Sequence, residues 1–270
     1  MKKILVAVNG IMPAVYVITF AIRVAKQLGC PLQGVFFKGS VEPADTQYPF
    51  PNDISLTDTA VTKESLEGEN SKLLNDYVRL FKDVCLEAGI AYEISIVITL
   101  GELLNQSSSA DLIIAGADAR FPTFSIDKVL AEAYCPVYLV GTKAHAIDKI
   151  ILAYDGSETS KYAIKKYGEL FPHHHHLPTF LVSVNLSPME ILEDKHFLNK
   201  WLPKHFSNLT VKELEGNVND ALLTVLQQNP VNTLIVMGAF GRSSVSRFFH
   251  PSTANVVLKE TGLSLFVAHE

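Results

Sequence analysis

The sequence predicts an α/β protein made of two tandem doubly wound domains, each a five-stranded parallel sheet flanked by helices. Three observations lead there. Apolar runs rich in Val, Ile and Leu alternate with helical patterns along the chain. Those runs are continuous, as in parallel strands covered by helices on both faces. The whole pattern also occurs twice in the same order, which is the signature of an internal repeat.

The matching segments fix the repeat. KILVAVNG (Lys3–Gly10) resembles KIILAYDG (Lys149–Gly156), each an apolar run closed by a polar residue and a glycine. DLIIAG (Asp111–Gly116) resembles TLIVMG (Thr233–Gly238), and EAYCPVYLV (Glu132–Val140) resembles ETGLSLFV (Glu260–Val267). The boundary falls between Thr142 and Ala146, giving domains 1–144 and 145–270.

Taken in order, the first half has strands at 3–9, 32–37, 91–98, 111–115 and 136–140, with helical patterns at Ala14–Leu28 and Ser65–Ala88. The second has strands at 149–155, 179–185, 208–214, 233–237 and 264–268, with helical patterns at Ser157–Leu170, Glu190–Lys200 and Ala254–Glu260. Alternating strands and helices imply right-handed crossovers and an open sheet. Ligands of such sheets bind beyond the carboxyl ends of the strands, where the strand order reverses. The loops after strands one and four of each half are therefore the places to look.

Composition narrows the function classes. In 270 residues, 48% hydrophobic content is ample for two cores. The 23 basic and 28 acidic residues are well mixed and no basic run stands out, which argues against nucleic acid as a partner. Cys30, Cys85 and Cys135 are scattered, odd in number and without a CxxC, consistent with a reducing compartment. The apolar start Ile4–Val8 is broken by Gly10 and Pro13, and Ala14–Ile22 stops at Arg23, too short to span a bilayer. The expectation is a cytoplasmic protein.

The segment VMGAFGRSSVSRFFHPST (Val236–Thr253) carries the chemistry. A strand runs into a loop with Gly238 and Gly241, which ends at Ser252-Thr253 before a helical pattern. Glycines let the backbone approach an anion, and the free amides of a helix start point at it. These are the parts of a phosphate cradle. Arg242 and Arg247 have the reach for bidentate phosphate contacts, with surface solvation as the competing role.

These residues resemble the universal stress protein family in a tandem two-domain form, most strongly at VAVNG, LAYDGSETSKYAIKKY, LIIAGA and LIVMGAFGRSSVSRFFHPST. The resemblance implies a strand order of 3-2-1-4-5 in each half. It implies an adenine nucleotide, ATP or similar and with or without magnesium, in the second half as a structural or signalling ligand. Asp155 matches the family's ribose-binding acid, and the adenine would lie near the end of strand two, at Val182–Val184. The family motif after strand four is G-x2-G-x9-G-(S/T). Gly238 and Gly241 match its first two glycines, Pro251 stands at the third, and Ser252 follows. Proline has no amide hydrogen, so if the family's glycine donates its N–H to phosphate, that contact, worth roughly 1.5–3 kcal/mol, is missing here. That is about a tenfold to hundredfold loss in affinity.

The first half departs further. Glu132 follows Gly116 by 16 residues, whereas Glu260 follows Gly238 by 22, so six residues of phosphate loop are missing. The loop reads GADARFPTF and Asn9 replaces the acid, so this half is expected not to bind nucleotide.

Plainer roles compete for several of these residues. A GxxG serves equally as a tight turn, and Asp155 as the cap of the following helix. His173–His176 read as a loop between helix and strand, with no second cluster to complete a metal site. Gly39–Thr62, with Tyr48 and Phe50, reads either as a lid or binding loop or as a surface excursion. No GxSxG, HExxH, GxxxxGK[ST] or SGGxDS occurs, so catalysis extends at most to slow ATP hydrolysis. Two other functions stay open. One is a non-nucleotide scaffold that pairs its last strands, Pro136–Val140 and Ser264–Val267, as an intramolecular pseudo-dimer. The other is a carrier of an apolar molecule. Family tandems also form homodimers, and the protein partners are not readable from the chain.

Overall fold

The computed structural model describes residues 2–9, 15–38, 63–142, 146–184, 194–214, 225, 232–238 and 263–268. The first half gives β1 (Ile4–Asn9), α1 (Val15–Leu28), β2 (Leu32–Phe37), α2 (Lys63–Ala88), β3 (Tyr92–Val97), α3 (Leu100–Ser107), β4 (Leu112–Gly116), α4 (Ile126–Glu132) and β5 (Val137–Val140). The second gives β6 (Lys149–Tyr154), α5 (Glu158–Leu170), β7 (Thr179–Val184), α6 (Leu202–His205), β8 (Leu209–Leu214), β9 (Thr233–Gly238) and β10 (Ser264–Ala268).

All ten strands form one sheet in the order β3-β2-β1-β4-β5-β10-β9-β6-β7-β8. Each half therefore has the order 3-2-1-4-5. Every neighbouring pair within a half is parallel. The halves meet through β5 and β10, which run antiparallel with Leu139 across from Leu265 and Tyr138 across from Phe266.

Burial on both faces explains the continuous apolar runs. Along β1, Ile4, Val6 and Val8 enter one core and Leu5 and Ala7 the other. The first core lies under α1, α2, α5 and α6, represented by Ile18, Phe81, Tyr167 and Leu202. The second lies under α3 and α4, represented by Leu103, Val129 and Leu130. Helices on both faces make the first half doubly wound, and among the described residues of the second half α5 and α6 cover one face. Among the described residues no helix is long and apolar enough to cross a membrane.

Three local features differ from the sequence expectation. Helix α3 begins at a reciprocal capping box, in which the Glu102 amide donates to Thr99 Oγ1 at 3.4 Å and the Thr99 amide donates to Glu102 Oε2 at 2.9 Å. The pattern expected to stop at Lys200 continues to His205 through a π segment at Phe197–Trp201. Pro203 lies just beyond that segment and cannot donate to the ladder, and the wider π register accommodates it. His173 and His174 lie in a 3₁₀ turn, Pro172–His174, rather than an open loop.

Candidate functional site

The second-half candidate site lies at the carboxyl edge of β9, β6 and β7, three adjacent strands. Leu152 pairs with Val236 and Tyr154 with Ser183. The ends of these strands, at Gly238, Tyr154 and Val184, thus reach one edge side by side, with Asp155 following β6. Strand order reverses at β6, since β7 lies on one side and β9 on the other.

The turn from β6 into α5 is built by Asp155. Its carboxylate is buried, and Oδ1 accepts from the Ser157 amide at 3.1 Å and the Ser157 hydroxyl at 2.5 Å. Gly156 between them takes φ +78°, a conformation that suits glycine. Ser157 is the N-cap of α5, and its Oγ accepts from the Ser160 amide at 3.1 Å. The capping role considered for Asp155 thus belongs to Ser157, and Asp155 holds the cap residue in place. The amide end of α5 faces the same edge, a setting that favours negative charge.

Gly238 meets α5 directly. A Cβ there would lie 2.7 Å from the Thr159 carbonyl carbon and 2.8 Å from the Ser160 nitrogen. Glycine at this position therefore lets β9 end against the first turn of the helix. Of the other residues singled out in the sequence, Val184 ends β7 paired with Leu214. Gly241, Arg242, Arg247, Pro251, Ser252 and Thr253 lie outside the described residues, as do the 39–62 segment and the helical pattern at Ala254–Glu260.

A cluster that sequence reasoning missed stands beside Asp155. Asp194 accepts from the Tyr154 hydroxyl, and Lys161 Nζ donates to Asp194 Oδ1 at 2.7 Å and meets Glu158 Oε1 at 2.5 Å. Burial, helped by the Asp194 carboxylate, pushes the Tyr154 hydroxyl's pKa up. Burial works against the Lys161 charge, but the Asp194 and Glu158 carboxylates overcome it and hold its pKa above the ordinary lysine value.

The same edge of the first half is occupied by its own chain. The Asn9 side-chain amide donates to the Arg120 carbonyl, and the Tyr16 hydroxyl donates to Asp118. A Cβ on Gly116 would lie 2.6 Å from the Tyr16 oxygen. At the end of β2, Phe37 packs on Phe121 and Phe124 with ring centroids 4.6 and 5.1 Å apart. The short GADARFPTF loop thus reaches across the ends of β1 and β2.

Two residues of the histidine run, His174 and His175, are held by their neighbours. His174 Nδ1 lies 2.6 Å from the Tyr167 hydroxyl, and its ring stacks on Phe171 at 5.5 Å and 11°. His175 Nε2 lies 3.0 Å from the Gly168 carbonyl. Among the described residues no group of three or more His, Cys, Asp or Glu is placed to hold a metal.

No protein-family model matches the chain, and no curated protein matches it significantly. Solved structures do. The chain is similar to a universal stress protein from Archaeoglobus fulgidus DSM 4304, with a TM-score of 0.64 and 16% identity over 98% of each chain. It is similar to a proposed universal stress protein from Pseudomonas aeruginosa UCBPP-PA14, with a TM-score of 0.59 and 18% identity over 99% of this chain and 92% of that one. A functionally unknown protein from Pseudomonas aeruginosa PAO1 follows at 0.56 and 16%, over 99% and 92%. The repeated strand order and these whole-length similarities give the chain the universal stress protein fold in its tandem form.

Proposed function

We propose that the protein binds one adenine nucleotide, ATP or a relative, at the carboxyl edge of its second half and serves in a stress response. The observation that carries this reading is the convergence of Asp155, Val184 and Gly238 on three adjacent strand ends at the point where strand order reverses. Asp155 would hold the ribose, the region of Val184 would face the adenine, and the amides around Gly238, Gly241, Ser252 and Thr253 would hold phosphates beside the amide end of α5. Arg242 would add a guanidinium contact. The fit is chemical: the residues offer a carboxylate for sugar hydroxyls, an apolar strand end for a base and amide donors for an anion. The nucleotide is read as a ligand whose occupancy partners sense, not as a substrate.

The first half is read as a filled copy of the same crevice. Asn9, Tyr16 and Asp118 bind their own loop there, and Phe37, Phe121 and Phe124 pack at the end of β2. One nucleotide per chain is therefore expected.

Calorimetric titration of ATP, ADP and AMP, with and without magnesium, tests both statements. The expected result is a stoichiometry of one per chain and a loss of affinity in Asp155→Ala. No binding at millimolar concentration would overturn the reading. A scaffold function, which Pro251 in place of the third motif glycine favours, would then take its place. A stoichiometry of two would overturn the closed first half.

A further inference from the structure

The cluster of Tyr154, Lys161 and Asp194 has no part in the nucleotide contacts described above. Its three members come from three elements. Tyr154 is the last residue of β6, Lys161 lies in the first turns of α5, and Asp194 stands ahead of the helical stretch that ends in α6. The Lys161 and Asp194 side chains are 13% and 11% exposed, whereas that of Glu158 is 78% exposed. Asp194 is therefore the inner partner and Glu158 the solvent-exposed one. A carboxylate this deep persists because its partners satisfy it, and removing it would strand the Lys161 charge.

The position of this cluster relative to Asp155 gives it meaning. Tyr154 immediately precedes Asp155. Ser157, which the Asp155 carboxylate holds, caps the helix that carries Lys161. Asp194 thus grips both arms of one turn, the strand arm through Tyr154 and the helix arm through Lys161. Asp155 sits at the bend between the two arms.

We propose that Asp194 is a positioning residue for the second-half site: by clamping both arms of the β6–α5 turn, it fixes the direction of the Asp155 carboxylate. The proposal rests on the reading of Asp155 as the ribose contact. Binding groups need their supporting partners to hold them within a fraction of an ångström, and loss of such a partner commonly costs tenfold or more in affinity.

The test is calorimetric titration of ADP into the full chain and into Asp194→Ala, Asp155→Ala and the double variant, with thermal melts of each. The expected result is about a tenfold weakening in Asp194→Ala and no further weakening when Asp194→Ala is added to Asp155→Ala. A general loss of structure would instead weaken both backgrounds alike. If Asp194→Ala does not fold, Asp194→Asn carries the same test. It keeps an acceptor for Tyr154 and removes the charge opposite Lys161, and a loss of about threefold with the same non-additivity is expected. Unchanged affinity in the Asp194 variants, or additive losses in the double variant, would overturn the clamp while leaving the nucleotide site standing. A parent chain that binds no adenine nucleotide would overturn the site itself, and the clamp with it.

Discussion

Phe266 of β10 stands directly across from Tyr138 of β5 at the antiparallel seam that joins the two halves. The helices of both halves lean on this pair. Phe20 of α1 lies 4.6 Å from the Tyr138 ring, and Tyr167 of α5 lies 5.4 Å from the Phe266 ring. Phe171 touches both, at 5.7 and 6.1 Å. The seam is thus an aromatic core in its own right, with Tyr138 and Phe266 fully buried.

Phe266→Ala should therefore cost about 3–5 kcal/mol, the range for emptying a large aromatic site in a core. Urea unfolding followed by circular dichroism will measure it. A variant within about 1 kcal/mol of the parent would show that the seam contributes little.

The two glycines Gly238 and Gly68 should respond in opposite directions to alanine. A Cβ at Gly238 meets the backbone of α5, so Gly238→Ala should destabilise the protein by about 1–3 kcal/mol without any nucleotide present. Gly68 lies exposed in α2 with nothing within 4 Å of a Cβ, so Gly68→Ala should stabilise by about 0.5–1 kcal/mol. Thermal melts of the two variants check the pair. A neutral Gly238→Ala would mean that β9 and α5 can part without cost. Loss of nucleotide binding in a Gly238 variant is accordingly not a clean reading of phosphate contact.

Acid should weaken the protein through His174. Burial, together with its histidine neighbours, lowers its pKa to about 3 in the folded chain, well below the ordinary 6.5. The unfolded chain therefore binds a proton that the folded one refuses between these values. Stability is present in full above about pH 6.5 and falls as the pH drops toward 3, with a slope of up to about 1.4 kcal/mol per pH unit for this one proton. His174→Phe, which keeps a ring on Phe171, should flatten that slope in urea unfolding at pH 4 to 7. A variant with the parent's slope would place the effect elsewhere.

The inner strands were legible because a strand buried on both faces leaves a nearly unbroken apolar run, as in β1, β4, β6, β9 and β10. Helix α3 was harder to see, since only eight residues carry its pattern. The signal that could have found it is Thr99 followed three residues later by Glu102. The continuation of the helix past Lys200 was hidden by Pro203, which normally marks a boundary. At the candidate site, Asp155 and Gly238 were legible because each closes a strand in a repeated motif. The Asp194 cluster was not, because its partners lie 33 and 40 residues away in sequence. Tyr16 and Asp118 are 102 residues apart, and only the fold brings them together.

Because β5 and β10 belong to one polypeptide, a pairing that separate chains would reach by collision is intramolecular here. Dilution that would part a dimer leaves this sheet whole, since tethering supplies a high and constant effective concentration. Fusion also frees the halves to diverge. In a dimer of identical chains, any change to one crevice is copied into the other. Here Asn9 holds the Arg120 carbonyl while Asp155 holds the Ser157 cap, an asymmetry that a pair of identical subunits cannot encode.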